Sequence, residues 1–139
     1  MRSNVQRKAV ELKPQNALQP GSGLDFARRS ARIARDMHAE DVVILDLRGI
    51  SSVADFFVIG TGTSDRQMRA IADEIEVQGL RVGQKRYGIS GYESPSWLLL
   101  DYVDVVIHLF DPAKRHYYDL ELLWGDAPRI EWQEPGDDA

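Results

Sequence analysis

Residues 42–64 read VVILDLRGISSVADFFVIGTGTS, and this stretch decides the fold class. Two short apolar runs within it, 42–47 and 56–60, contain several β-branched residues, which is typical of strands that are buried on both faces. The stretch ends on Ser64, and Gln67 follows three residues later, a capping-box pattern that predicts the start of a helix. Buried strands that lead into helices indicate a sheet with helices packed against it.

The flanking segments continue this alternation of helices and strands. Apolar residues at helical spacing predict helices over residues 24–39, 64–79 and 111–124. Two further apolar runs, 97–101 and 105–110, predict strands whose short connection permits only an antiparallel hairpin. We therefore expect an α/β (α+β) fold in which a mixed sheet is flanked by helices.

Single residues predict how the helices begin, end and face. Asp111-Pro112 combines a capping side chain with a proline in the first turn, and therefore starts the last helix. Tyr117 and Leu120 are expected to face inward from that helix. Gly79 is predicted to end the middle helix, because glycine is common just after the last helical residue.

The composition describes one domain and excludes several kinds of site. The chain has 139 residues, of which 43% are hydrophobic and 28% are charged. It has no cysteine, which excludes disulfides, cysteine-based metal sites and a thiol nucleophile. The net charge of −5 argues against a protein that wraps nucleic acid, because phosphates would repel it. The first predicted helix carries four arginines, namely Arg28, Arg29, Arg32 and Arg35. They indicate a helix face that is exposed to solvent, and a patch that faces RNA is the alternative.

The two ends of the chain differ from its middle. Residues 1–23 carry four basic side chains against one acidic, together with two prolines, and we expect a mobile N-terminal extension. Residues 127–139 end in an acidic stretch and are expected to form a mobile C-terminal tail, which leaves a domain over residues 24–126. A cytoplasmic location is expected, because the sequence shows neither a membrane-spanning apolar run nor a secretory signal.

Gly49, Ser51 and Asp55 form the first candidate for chemistry. A Gly-Ser turn before a strand that bears an acid resembles the nucleotidyltransferase motif, in which two acids, two residues apart, bind a divalent metal. Phe57 stands where the second acid would be, and a phenyl ring cannot ligate a metal. We therefore expect a nucleotidyltransferase-like fold without the catalytic site, with a divergent nucleotidyl- or phosphotransferase as the rival hypothesis. The simplest alternative is a turn whose side chains bond to nearby backbone.

Two further patterns are weaker. Residues 61–64, TGTS, precede a helix and could hold an anion, but no lysine follows, so helix capping is the favoured interpretation. His108 and His116 lie eight residues apart on a strand and a helix, which is not a metal-ligand spacing. We expect hydrogen-bonded structural histidines and no metal site.

The strand that begins at Trp97 carries the clearest surface signal. Alternation places Trp97, Leu99 and Asp101 on one face of the strand, and Leu98 and Leu100 on the other. Tryptophan anchors interfaces, because it combines a large area with few rotatable bonds and one polar group. This face therefore predicts a protein partner, and a central strand buried on both sides is the alternative.

Several blocks of the sequence together resemble one family, the ribosomal silencing factor (RsfS, or Iojap-like) family. The resemblance covers roughly residues 24–126 without a break. The blocks that carry it are Asp46-x-x-Gly49-x-Ser51-x-x-x-Asp55-x-Phe57-Val58-Ile59-x-Thr61-Gly62-Thr63-Ser64-x-Arg66, Gly88-x-x-Gly91, Trp97-x-Leu99-x-Asp101-x-x-Asp104-Val105-x-x-His108-x-Phe110, and Arg115-x-x-Tyr118-x-Leu120-Glu121-x-Leu123-Trp124.

The resemblance implies a regulatory protein that is not an enzyme. Members of that family bind the large ribosomal subunit through ribosomal protein uL-fourteen, sterically block subunit joining and repress translation when nutrients are short. The resemblance also implies a mixed five-stranded sheet, a homodimer when the protein is free, and no cofactor. The partner-binding residues that it implies are Trp97, Leu99, Asp101, Tyr102, Gly91 and Ser64. A self-associating scaffold is the third hypothesis.

Overall fold

A computed structural model describes residues 22–133 of the chain. The expected N-terminal extension up to residue 21 and the acidic end, residues 134–139, lie outside the described residues. Among the helices of the described part, none is long and apolar enough to cross a lipid bilayer.

Five strands form one mixed sheet, which confirms the expected fold class. The strands are β1 (Glu40–Asp46), β2 (Phe56–Thr61), β3 (Gly88–Ser90), β4 (Trp97–Asp101) and β5 (Val105–Phe110). Their order across the sheet is β1-β2-β5-β4-β3. β2 and β5 run parallel, and every other neighbouring pair is antiparallel. The predicted hairpin of β4 and β5 is therefore confirmed.

Side-chain caps begin the three longer helices. The helices are α1 (Gly23–Asp36), α2 (Asp65–Arg81), α3 (Pro112–Tyr118) and α4 (Leu120–Leu123). The Ser64 hydroxyl accepts a hydrogen bond from the backbone N–H of Gln67 at 3.0 Å, as the sequence predicts. The Gln67 side chain bonds the N–H of Thr63 at 2.7 Å, one residue earlier than a capping box requires. Asp111 caps α3 by accepting from the N–H of Lys114 at 2.8 Å.

The two faces of the sheet are covered differently. α1 and α2 pack on one face, which we call the helix face, through residues that include Phe26, Ala27 and Ile71. The other face, which we call the second face, is covered by fewer groups, chiefly Leu120 and Trp124. β2 and β5 lie in the centre, and all their residues are buried. This is the expectation for parallel strands, which need cover on both faces.

α2 ends later than the sequence predicts. It continues past Gly79 to Arg81, and the expected stop at Gly79 is therefore wrong. Gly79 is buried, and a β-carbon at this position would lie 3.2 Å from the ring of Phe26. The glycine thus permits close packing of α2 on α1 and does not end the helix.

The predicted last helix is broken at Asp119. This residue has a left-handed backbone (φ +46°), which aspartate tolerates better than most residues, and it separates α3 from α4. The break interrupts the helical stripe that joined Tyr117 to Leu120 in the prediction. Tyr117, expected to face inward, is 75% exposed, whereas Tyr118 contacts the ring of Trp97.

Residues 128–132, which we call the C-terminal strap, lie along the free edge of β1. Asp46 N–H donates to the carbonyl of Pro128 at 2.8 Å, and Ile130 N–H donates to the carbonyl of Ile44 at 3.0 Å. From the sequence we expect these residues to be part of a mobile C-terminal tail. In the structure they occupy backbone groups that an edge strand would otherwise expose.

The arginines of α1 hold the C-terminal strap in place. Arg28 donates to the carbonyl of Glu131 and Arg32 to that of Trp132, both at 3.0 Å, and Arg35 lies 5.5 Å from the centre of the Trp132 ring. Arg29 pairs with Asp25 on α1 itself. The four arginines are therefore engaged within the chain, and this disfavours the RNA-facing alternative.

We expect Trp132→Ala to lower the free energy of unfolding by about 2 kcal/mol, because the change removes half-buried indole packing. It also removes the hydrogen bond from Trp132 Nε1–H to the carbonyl of Val42, at 3.1 Å. Urea unfolding followed by circular dichroism measures the loss. Gln133→Ala is the matched control, since that side chain is exposed. Equal unfolding midpoints for the two variants would show that the strap does not stabilise the fold.

Candidate functional site

The second face of β4 is the candidate site. Residues along β4 alternate between half-buried and buried, as predicted: Leu98 and Leu100 pack on the helix face, while Trp97, Leu99 and Asp101 point the other way and stay partly exposed. The alternative of a strand buried on both sides is therefore wrong. We call Trp97, Leu99 and Asp101, together with the adjoining Tyr118, the β4 face.

Aromatic rings surround Trp97 on several sides. The centre of its ring lies 4.5 Å from that of Tyr118, 5.0 Å from that of Phe110 and 5.9 Å from that of His108. Trp97 is paired with Phe110 across the β4–β5 ladder, so both side chains emerge on the same face. The indole is consequently held by neighbours while one part of it remains exposed.

His108 lies beneath this face and binds Trp97 directly. It is 3% exposed, its ring stacks parallel to that of Phe110, and the edge of Phe57 contacts it at 4.4 Å between ring centres. Trp97 Nε1–H donates to His108 Nδ1 at 3.1 Å. Burial lowers the pKa of His108 to about 3, so the imidazole is neutral at physiological pH. The expectation of a hydrogen-bonded structural histidine is confirmed for His108.

Arg115 fixes the helices that support Tyr118. Its guanidinium donates to both carboxylate oxygens of Glu121 at 3.1 and 3.0 Å, to the hydroxyl of Thr61 at 2.9 Å and to the carbonyl of Asp41 at 2.7 Å. The arginine therefore ties α3 to α4 and both to the edge of the sheet, through a bidentate, charge-assisted pair. Tyr118, at the end of α3, is positioned over Trp97 as a result.

Asp101 has a structural task within the β4 face. Its carboxylate accepts from the backbone N–H of Val103 at 2.7 Å. Val103 has a positive φ (+74°), which is strained for a β-branched residue, and the hydrogen bond helps to hold this turn between β4 and β5.

Tyr102 does not belong to the β4 face, which corrects the expectation that it contacts the partner. It is only 4% exposed and packs against Phe26 of α1, with 4.6 Å between ring centres. Burial raises the pKa of Tyr102 to about 12. Continued alternation along β4 places Tyr102 on the same side as Leu98 and Leu100, and all three belong to the core on the helix face.

Gly91 and Ser64, the two less central site residues, both have roles in the backbone. Gly91 has a φ of +83°, and a β-carbon there would collide with the carbonyl of Trp97. The glycine thus lets the loop before β4 approach the strand at Trp97. Ser64 caps α2 and is exposed.

The transferase-like residues form a turn. Gly49 has a positive φ (+78°), and the Ser51 hydroxyl accepts from the N–H of Val53 at 3.0 Å, as the simplest alternative predicts. Phe57 is buried in the cluster on the second face. Within residues 22–133, no group of three or more histidine, aspartate or glutamate side chains is arranged to hold a metal ion.

Known proteins resemble this chain over most of its length. A family model described as "Ribosomal silencing factor during starvation" matches residues 22–139. The chain belongs to the ribosomal silencing factor family. It is 47% identical over 110 residues to a ribosomal silencing factor of Halalkalibacterium halodurans, which covers 79% of this chain and 94% of that protein. It is 46% identical over 99 residues to the ribosomal silencing factor of Bacillus subtilis, which covers 71% of this chain and 84% of that protein.

A solved structure shares the fold. A crystal structure of a Chromobacterium violaceum protein superposes with a TM-score of 0.68 at 33% identity, over 78% of this chain and 88% of that one. The resemblance stated from the sequence blocks is thus confirmed for the family and for its mixed five-stranded sheet. The nucleotidyltransferase-like character of the fold stays a prediction.

The sequence did not show two residues that shape the β4 face in this family member. His108 is paired with Leu99 across the ladder and so reaches the face of Trp97, and Tyr118 replaces Tyr117 as the inward-facing ring. Asp119 could have predicted that the helix is interrupted after Tyr118, since aspartate is enriched at left-handed positions. The position of His108 depends on the strand register, which the uniformly buried residues of β5 leave open.

We expect Gly91→Ala to destabilise the fold far more than Gly83→Ala. Both glycines have nearly the same backbone, with φ of +83° and +81°, but a β-carbon at Gly83 meets nothing within 4 Å. The shared strain costs about 1 kcal/mol, and the collision at Gly91 adds about 2 kcal/mol. Chemical unfolding of both variants measures the difference, and equal losses would contradict the close approach to Trp97.

We also expect His108 to make stability depend on pH. The unfolded chain binds a proton at this residue near pH 6.5 and the folded chain only near pH 3, so the contribution is complete above 6.5 and falls as the pH drops between these values. From pH 7 to pH 5, wild type should lose about 2 kcal/mol more than His108→Asn. Urea unfolding at both pH values measures this, with the exposed His116→Asn as control. A wild-type loss equal to that of His108→Asn would refute a neutral, buried His108.

Proposed function

We propose that this protein binds the large ribosomal subunit through ribosomal protein uL-fourteen and, once bound, sterically prevents the small subunit from joining. Repression of translation when nutrients are limiting would follow from that block. Membership of the ribosomal silencing factor family supports the general role. The observation that carries the binding site is the partly exposed Trp97, held by rings on a face that the described residues, 22–133, leave partly uncovered.

The apolar surface continues outward from Trp97. Tyr118, which contacts Trp97, is 41% exposed, and Tyr117 contacts Tyr118 with 5.0 Å between ring centres. Leu122 and Leu123 on the neighbouring α4 are also exposed. Exposed apolar residues that adjoin a rigid aromatic anchor are typical of a protein–protein interface.

The charge of the chain fits a protein partner better than ribosomal RNA. The net charge is −5, so phosphates repel the chain, whereas ribosomal proteins are generally basic. Asp101 belongs to the β4 face and is positioned to meet a basic side chain, whereas the β-carbon of Asp104 lies near Gly23 of α1. Such complementarity would mainly speed encounter, and the buried aromatic area would slow dissociation.

In this proposal the protein acts by occupying a surface and makes or breaks no bond. The position of a second metal-binding acid is taken by Phe57, whose ring is buried.

The proposed site of action is the cytoplasm, where free large subunits are found. When no ribosome is available, we propose that the protein forms a homodimer through the β4 face, so that dimerisation and ribosome binding exclude each other.

We expect Trp97→Ala to weaken binding to isolated bacterial large ribosomal subunits by about 30- to 1000-fold, because the variant removes the central aromatic anchor. Co-sedimentation at increasing subunit concentration measures the affinity. Leu80→Ala is the matched control: it removes an exposed apolar side chain from α2, on the opposite side of the sheet, and should bind like wild type.

Circular dichroism must first show that Trp97→Ala is folded. Leu99→Asp provides an independent variant, because it places a charge on the same face without removing the indole. If both variants co-sediment like wild type, the site is not on the β4 face. If wild type itself does not co-sediment, the proposed partner is wrong.

A further inference from the structure

A histidine at position 108 carries a desolvation penalty that an apolar residue of similar size would not carry. Its Nδ1 accepts from Trp97, so the proton of the neutral ring is on Nε2. Nε2 is buried and has no hydrogen-bond partner among the described residues. A buried N–H without a partner opposes folding, and an apolar side chain would fill this space between Phe57 and Phe110 without that penalty. The stability of the core therefore does not explain the imidazole.

The hydrogen bond to Trp97 does explain it. The His108 ring is packed against Phe57, with 4.4 Å between ring centres, and lies parallel to the ring of Phe110 at 6.0 Å, so its rotation is restricted. A fixed ring presents Nδ1 in one direction, and the Trp97 indole must turn its Nε1–H toward that atom at 3.1 Å. Rotation of the indole about its side-chain bonds would break this hydrogen bond inside the protein.

The same hydrogen bond determines which groups of Trp97 are free to contact a partner. Nε1–H is the only hydrogen-bonding group of an indole, and here it is used within the chain. The part of Trp97 that remains exposed is therefore purely apolar. A partner that receives it needs an apolar hollow and gains nothing from an acceptor placed for the indole N–H.

We propose that His108 is a positioning residue of the β4 face, which holds the Trp97 indole in its binding orientation and keeps the exposed rim of that indole apolar. This inference rests on the proposed function, since it takes Trp97 as the binding anchor. A side chain that is already ordered loses less entropy on binding, so a positioning residue slows dissociation without touching the partner.

Two variants separate the hydrogen bond from packing. His108→Leu has a similar volume and no acceptor, whereas His108→Asn keeps an oxygen near the position of Nδ1. In nitrogen-15 NMR spectra the Trp97 indole N–H, assigned with Trp97→Phe, should exchange slowly with water in wild type and in His108→Asn, and rapidly in His108→Leu. The variant His108→Leu should be about as stable as wild type, because it removes the unpartnered Nε2–H but also removes the acceptor of the Trp97 indole N–H.

Binding kinetics on immobilised bacterial large subunits then test the inference. We expect His108→Leu to dissociate about fivefold faster than wild type, which corresponds to one net hydrogen bond, and His108→Asn to stay within about twofold of wild type. If His108→Leu loses the protected indole signal but dissociates like wild type, the positioning role is overturned while the proposed function stands. If wild type does not bind the subunits, the proposed function itself fails, and the inference fails with it.

Discussion

The parallel pairing of β2 with β5 is the constraint on which the rest of the structure depends. All residues of both strands are buried, from the Phe56–Val105 pair to the Thr61–Phe110 pair, so the chain must cover both faces of the sheet centre. Two full helices cover the helix face, whereas within the part of the chain that the structure describes only the short α3–α4 segment and the residues after it cover the second face. That cover does not reach the whole of β4. The candidate site exists where the second layer ends.

The β4 face, where the second layer ends, is a rigid aromatic surface and does not have the form of a catalytic pocket. Trp97 is packed by Tyr118 and Phe110 and hydrogen-bonded to a buried, neutral His108, and Arg115 anchors the helix that carries Tyr118. Such an arrangement is suited to the shape recognition that we propose, because its ordering is completed during folding and little remains to be lost on binding. This agrees with a family whose described role is regulatory. The arginines of α1, which could have served a nucleic acid, instead hold the C-terminal strap against β1.

Features that depend on local pattern could be predicted from the sequence, and features that depend on register could not. The apolar runs, the caps at Ser64 and Asp111 and the alternation along β4 are local, and the structure confirms them. The partner of Trp97 is different: Leu99 pairs with His108, and a slip of one residue in this hairpin would have turned His108 toward the helix face. Both faces of β5 are buried and His108 is its one polar residue, so the apolar pattern of this strand does not fix that register. Residues 128–132 likewise take their place through long-range contacts, here with β1, whereas the alternation along β4 already indicates the helix face for Tyr102.

The most direct test of the account is a subunit-joining measurement. Large bacterial subunits are first saturated with the protein, with occupancy checked by co-sedimentation, and small subunits are then added while light scattering follows the formation of whole ribosomes. The account predicts that joining falls in proportion to the fraction of large subunits that carry the protein. Joining at the normal rate and to the normal extent, with the protein still bound, would contradict it.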